Sequence, residues 1–231
     1  MKAVILAAGM GTRLGTLIPK PLTAIENEKV IIDYQVAALK DFIGLHNIFV
    51  VVGYKKELIM ERHPQLIYIY NERYVQTNTS KSLLTAVLKI NDDVLWMNGD
   101  VYFDKNILEL VVASKYSACL VDQKECGAEE IKYNLNQEGF IYNLSKNVKD
   151  PQGEALGVNL IFKKDLDMFR EELNTVNDND YFEKALENLT LSNKLKITPI
   201  NVGNLFCKEI DFEEDLLEVQ NEIRNFNKKL K

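Results

Sequence analysis

Cysteine and histidine are scarce in this chain, and two kinds of segment, the basic run and the long apolar run, are missing. Three cysteines, Cys119, Cys126 and Cys207, show no Cys-x-x-Cys spacing and leave one over. That argues against a zinc ribbon and against a disulfide framework. They read as small apolar fillers in a reducing compartment. The two histidines, His46 and His63, lie in connecting segments rather than in motifs. With no long basic run and a net charge of −6, duplex nucleic acid is not expected as a partner. No apolar stretch is long enough to cross a bilayer and no signal-peptide pattern is present, so no membrane role and a cytoplasmic location are expected. What remains is a chain of 231 residues, 46% hydrophobic, able to bury a core without disulfides or a structural metal.

The first half reads as alternating strands and helices. Apolar runs at 3–8 and 47–53 have the character of buried strands, and 66–70 and 94–97 read as a third and a fourth strand. Helical spacing is seen over 31–43, 55–62, 80–89 and 106–114. This order predicts an α/β fold with a mostly parallel, Rossmann-like central sheet flanked by helices. From residue 118 the pattern changes. Strands over 118–122, 131–135, 140–144, 156–162 and 195–202 predict a mixed or antiparallel extension, with helices over 165–173 and 181–189. A final amphipathic helix over 212–229 presents Leu216, Val219, Ile223 and Phe226 on one face. No repeat or linker divides the chain, and one domain over 1–231 is expected.

Ligands on such sheets bind beyond the carboxyl ends of the strands. Two informative segments fall there. The first is Leu6-Ala7-Ala8-Gly9-Met10-Gly11-Thr12-Arg13-Leu14, followed by Lys20-Pro21. Its glycines let the backbone approach a ligand closely, and successive N–H groups in such a turn form an anion site. Arg13 adds a forked cation suited to phosphate, and Lys20 adds a second cation beside a rigid corner. Without that ligand the same string is a tight turn with a surface arginine. It fits neither the Walker pattern nor the dinucleotide fingerprint, since position 14 is leucine. The second segment is Trp96-Met-Asn98-Gly99-Asp100, which ends the fourth strand in a carboxylate.

The string Leu6-Ala-Ala-Gly-x-Gly-Thr-Arg-Leu14 with Lys20-Pro21-Leu22 resembles the signature of the sugar-phosphate and phosphocholine nucleotidylyltransferases. The resemblance implies a nucleotide-binding half over 1–117 and an acceptor-side half over 118–231. By the same resemblance the glycine loop wraps the nucleotide phosphates, Arg13 contacts their β/γ part and Lys20 lies over the α-phosphate. Lys20, Arg13 and Asp100 are then the catalytic set. Nucleotidyl transfer uses Mg²⁺, commonly held by one or two carboxylates. Asp100 is the first implied ligand. Asp211, in Glu209-Ile-Asp211, is the second, although it would equally serve as the N-cap of the last helix.

Gly53-Tyr54, at the end of the second strand, is implied to lie near the base. Asn71 opens the segment running through Thr77, Asn78 and Ser82. That string resembles the phosphocholine, phosphonate and phospho-alcohol cytidylyltransferases, and it favours CTP and a small phosphorylated, non-sugar acceptor. On residue chemistry alone, Thr79 or Ser80 simply caps the next helix. Lys146 is the candidate for the acceptor phosphate, against the plainer reading of a solvated lysine. Glu154 and Gly157 resemble an acceptor-side pair, with Glu154 facing a cationic head group. An aromatic box would draw on Tyr102, Tyr133, Tyr142 and Tyr181. The expected reaction is cytidylyl transfer from CTP to a small phosphorylated or phosphonate acceptor, giving a CDP-activated or CMP-linked precursor for surface polysaccharide or lipid decoration, by a protein that forms a homodimer or acts alone. The alternatives are a sugar-1-phosphate nucleotidylyltransferase, a nucleotide-binding regulatory domain and a metal-dependent glycosyltransferase.

Overall fold

The computed structural model describes residues 1–11 and 18–229. Thr12 and Arg13, two of the candidate site residues, fall outside the described residues.

Strand β1 (Lys2–Ala7) shows how the core divides. Its side chains alternate across the sheet, and both faces are apolar. Val4 and Leu6 enter one cluster, and Ala3, Ile5 and Ala7 enter another. Helix α1 (Ile31–Ile43) buries Ile32, Val36 and Leu39 in the second cluster and ends at Gly44, whose φ of 79° stops the helix. Strands β4 (Ile48–Val52), β5 (Ile67–Tyr70) and β6 (Val94–Asn98) join β1 in parallel. Between them lie a short hairpin, β2 (Ala24–Glu26) and β3 (Lys29–Val30), and the helices α2 (Lys56–Arg62) and α3 (Thr79–Val87).

The later strands enter the same sheet. β11 (Gly153–Ile161) runs antiparallel to β6, and also pairs with β8 (Ser117–Asp122) and β9 (Lys132–Leu135). β10 (Ile141–Ser145) closes one edge beyond β9, and β12 (Ile197–Asn201) lies parallel to β8. The order from edge to edge is β10-β9-β11-β6-β1-β4-β5. Helices α5 (Lys163–Thr175) and α6 (Phe182–Leu191) pack with α3 on one face. Helix α4 (Asn106–Val112) packs with α1 on the other.

The alternating first half and the mixed second half are as the sequence predicts, with small shifts of boundary. The strand expected over 156–162 starts three residues earlier, at Gly153. Besides the β2–β3 hairpin, two strands escape sequence reading: β7 (Val101–Phe103) and β13 (Cys207–Glu209). At three residues each they are too short to show a period. They pair antiparallel, Glu209 opposite Val101, and that pairing positions the site. Helix α7 (Glu213–Lys229) then docks Val219 and Ile223 against Ile25, Ile31 and Ile210. Phe226, expected on the same face, stays 56% exposed, because it lies beyond that apolar floor.

Candidate active site

Chain geometry brings three charged groups together. The β6–β7 turn carries Asp100, and β13 delivers Asp211 beside it, with Ile210 N–H donating to the Asp100 carbonyl at 2.9 Å. Lys20 opens a short 3₁₀ turn, Lys20–Leu22, that follows Pro19. Its Nζ lies 3.0 Å from Asp100 Oδ2 and also contacts Asp211 Oδ1. Burial pulls the ammonium's pKa down, but Asp100 and Asp211 more than offset this, so Lys20 stays charged. Asp211 therefore directs its side chain to Lys20. The capping role goes to Asp215, whose Oδ2 accepts from the N–H groups of Asp211 and Phe212.

Two glycines make this approach possible. Gly11 has φ +63°, and a Cβ there would sit 2.7 Å from Lys20 Cγ. A Cβ on Gly99 would meet the Leu6 carbonyl and Pro21 Cγ at 2.7 Å each. Side chains at either position would part the loop from the lysine. Beneath the turn, buried Gln35 donates from Nε2 to the carbonyls of Asn98 and Val101, both at 2.8 Å. It is a positioning residue that sequence reading missed, since it sits on the apolar face of α1. Gln35→Met keeps the volume and removes both bonds. It is expected to cost about 2 kcal/mol in urea unfolding, because two carbonyls lose their donors.

The three groups open onto a cavity of about 510 Å³. Of the residues assigned to the nucleotide, Leu6, Ala7, Gly9, Gly11, Asn78, Asn98 and Gly99 line it. Gly53 and Tyr54 lie behind the loop, with Tyr54 N–H donating to the Ala8 carbonyl at 3.1 Å. Asn71, Thr77 and Ser82 bond to one another: Asn71 Nδ2 donates to Thr77 Oγ1 at 3.1 Å and to Ser82 Oγ at 3.0 Å. They brace the segment that leads into α3. The N-cap of α3 is Asn78, whose Oδ1 accepts from Thr79 N–H at 2.8 Å, rather than Thr79 or Ser80.

On the acceptor side, Lys146, Glu154 and Gly157 all line the cavity. Glu154 and Lys146 each already have a partner. Lys124 Nζ is 2.7 Å from Glu154 Oε1, and Lys146 Nζ is 3.0 Å from Glu129 Oε2. Burial raises the Glu154 pKa, and Lys124 restrains the rise. Lys146 Nζ also stands 5.5 Å from the Tyr181 ring centroid. Tyr181 is the one tyrosine of the four candidates on the cavity wall. Tyr102 packs on Tyr34 and Phe206, Tyr133 is buried in the core and Tyr142 is exposed. No aromatic box forms among the described residues.

Two further acidic residues of the cavity have raised pKa values. Glu209, one residue from the expected ligand, accepts from Asn98 Nδ2 at 3.3 Å. Burial first, then Asp100 and Asp211, raise its pKa well above 4.5. Glu183, on the first turn of α6, looks in sequence like part of a solvated helix face. It is buried, and that burial pushes its pKa from 4.5 up to about 7, with its own backbone N–H and Lys146 restraining the shift. Between pH 4.5 and 7 the folded protein holds a proton here that the unfolded chain releases. Stability from this group is therefore present below pH 4.5, declines as the pH rises and is lost above 7. Relative to Glu183→Gln, the wild type is expected to lose about 2–3 kcal/mol across that window, measured by urea denaturation at each pH.

Asp100 and Asp211, both in reach of one ammonium, are also in reach of one cation. Among the described residues no group of three or more candidate metal ligands occurs. Two carboxylates suit Mg²⁺, which keeps water and phosphate oxygens as its other ligands.

A model of the MobA-like NTP transferase domain matches residues 3–155, from β1 into β11. The chain belongs to that family. The match includes Lys20, Asp100 and Lys146, and leaves Glu183 and Asp211 beyond its end. The family agrees with the reaction class that the glycine-loop resemblance implies. A bifunctional protein GlmU of Methanococcus maripaludis is 32% identical over 167 residues, covering 70% of this chain and 38% of the relative. A choline-phosphate cytidylyltransferase of Streptococcus pneumoniae is 34% identical over 113 residues, covering 46% of this chain and 48% of the relative. The chain thus spans less than half the length of the GlmU relative. Among solved structures, the CTP:phosphocholine cytidylyltransferase of Streptococcus pneumoniae superposes with a TM-score of 0.80 at 21% identity, covering 96% of this chain and 98% of that one. It shares the fold: a mainly parallel central sheet, flanking helices and antiparallel additions. Among the described residues no helix is long and apolar enough to cross a membrane.

Proposed function

We propose that the protein transfers a cytidylyl group from CTP to a small phosphorylated acceptor and releases pyrophosphate. The observation that carries this reading is Lys20 held between Asp100 and Asp211, at the point where the glycine loop meets the cavity. An acceptor phosphate oxygen attacks the α-phosphorus in line, the bond to the bridging oxygen breaks and pyrophosphate departs. The attacking oxygen is already anionic near neutral pH, so the reaction needs no general base. Lys20 meets the charge that builds on the α-phosphate oxygens, and the backbone of the glycine loop holds the triphosphate. Mg²⁺, when bound at Asp100 and Asp211, supplies charge neutralisation for the triphosphate and its leaving group. The choice of CTP is supported by the choline-phosphate cytidylyltransferase relative.

A second reading, a sugar-1-phosphate nucleotidyltransferase, is favoured by a UTP–glucose-1-phosphate uridylyltransferase of Haloferax volcanii, 35% identical over 118 residues. One assay separates them. Pyrophosphate release is followed with each of the four nucleoside triphosphates against phospho-alcohols and sugar 1-phosphates. Release with CTP and a phospho-alcohol is the expected result. Release only with a sugar 1-phosphate overturns the proposal.

A further inference from the structure

The cavity wall leaves three buried oxygens without donors. Glu183 Oε2, Glu130 Oε2 and Asn98 Oδ1 are buried, belong to residues lining the cavity, and have no hydrogen-bond partner. The Asn98 amide oxygen accepts, and so does each carboxylate, Glu183 fully once the pH is above 7, where it is ionised. Asn98 is fixed in this orientation because its Nδ2 donates to Glu209. Buried acceptors without donors are costly, and a ligand that brings donors removes the cost. Glu183 is the most secluded of the three: its residue is 6% exposed.

The places that would attract a quaternary ammonium are already held by the chain's own cations. Lys146 stands over the Tyr181 ring and pairs with Glu129, and Lys124 pairs with Glu154. A trimethylammonium group also has no N–H or O–H to offer Glu183. A polyol has several hydroxyls and brings no charge to compete with Lys146.

We propose that the acceptor is a phosphorylated polyol, and that Glu183 selects it by accepting a hydrogen bond from a hydroxyl remote from the phosphate. This rests on the cytidylyl-transfer reading and names its substrate class. A site built to bond a hydroxyl rejects analogues that lack one by orders of magnitude, because its own buried acceptor is left unpaired.

The test compares inositol 1-phosphate, glycerol 3-phosphate, phosphoethanolamine and phosphocholine as acceptors with CTP, read by pyrophosphate release. Expected is kcat/KM at least about 100-fold higher for one of the two polyol phosphates than for phosphocholine. Glu183→Leu is expected to raise the KM of that polyol phosphate at least about tenfold with the KM for CTP unchanged, while Glu183→Gln, which keeps an acceptor oxygen, stays near the wild type. The wild-type comparison needs no variant to fold. Preference for phosphocholine or phosphoethanolamine overturns the polyol assignment and leaves cytidylyl transfer standing. An unchanged polyol KM in Glu183→Leu overturns the role of Glu183. Absence of pyrophosphate release from CTP with every acceptor overturns the underlying reading, and the polyol assignment with it.

Discussion

Lys20→Ala is expected to lower kcat about 100- to 1000-fold, the cost of removing one preorganised charge from a developing oxyanion. On the proposed mechanism the glycine-loop backbone still holds the triphosphate, so the KM for CTP should change far less. The lysine is 13% exposed and its ammonium is shared by two carboxylates, so it is fixed before substrate arrives. Arginine is not expected to rescue it. The guanidinium is broader and planar, and the stem already lies where a Cβ on Gly11 would touch it. Steady-state pyrophosphate release at saturating CTP and acceptor measures the effect. Turnover within about threefold of the wild type removes Lys20 from the catalytic role. The same variant leaves Asp100 and Asp211 facing each other without their shared cation. Its thermal midpoint should therefore fall in metal-free buffer and recover on addition of Mg²⁺.

Trp96→Ala is expected to cost about 3–5 kcal/mol of stability, the range for truncating a large buried aromatic. Trp96 is 1% exposed in the middle of β6. Its ring stacks on Phe169 of α5, with centroids 5.5 Å apart and planes at 28°. It also meets Phe182 of α6 edge-on at 5.5 Å. One side chain thus ties the strand that ends at Asn98 to two helices. The indole N–H has no hydrogen-bond partner, so Trp96→Phe should be much milder. Urea unfolding followed by circular dichroism measures both. Equal losses for phenylalanine and alanine would show that the indole's hydrogen bonding, not its volume, matters.

How much of this could be read beforehand follows from physical range. The parallel half was legible because β1, β4 and β6 are continuous apolar runs and α1 repeats its apolar residues at helical spacing. Asp100 and the glycine loop were legible because local sequence carries them. The pairing of Asp211 with Lys20 spans 191 positions, and it depends on two three-residue strands that no periodicity announces. Asn71, Thr77 and Ser82 show the opposite difficulty. Their string looked like a binding motif, and in the fold they bond chiefly to one another. Glu183 could not be found from sequence, because a glutamate in the first turn of an amphipathic helix is ordinarily solvated.

The β7–β13 pair also has a consequence for synthesis. Asp211 reaches the lysine only after Cys207–Glu209 lies along Val101–Phe103, and Ile210 locks into the cluster formed by Ile25, Ile31, Val219 and Ile223. A nascent chain emerging from the ribosome can order its parallel strands long before that. Until residues 207–211 have emerged and paired, Lys20 has one carboxylate where the folded protein gives it two. The segment that carries Lys20 is made early and its second carboxylate comes late, so pairing of β13 with β7 is the step that completes the charged cluster.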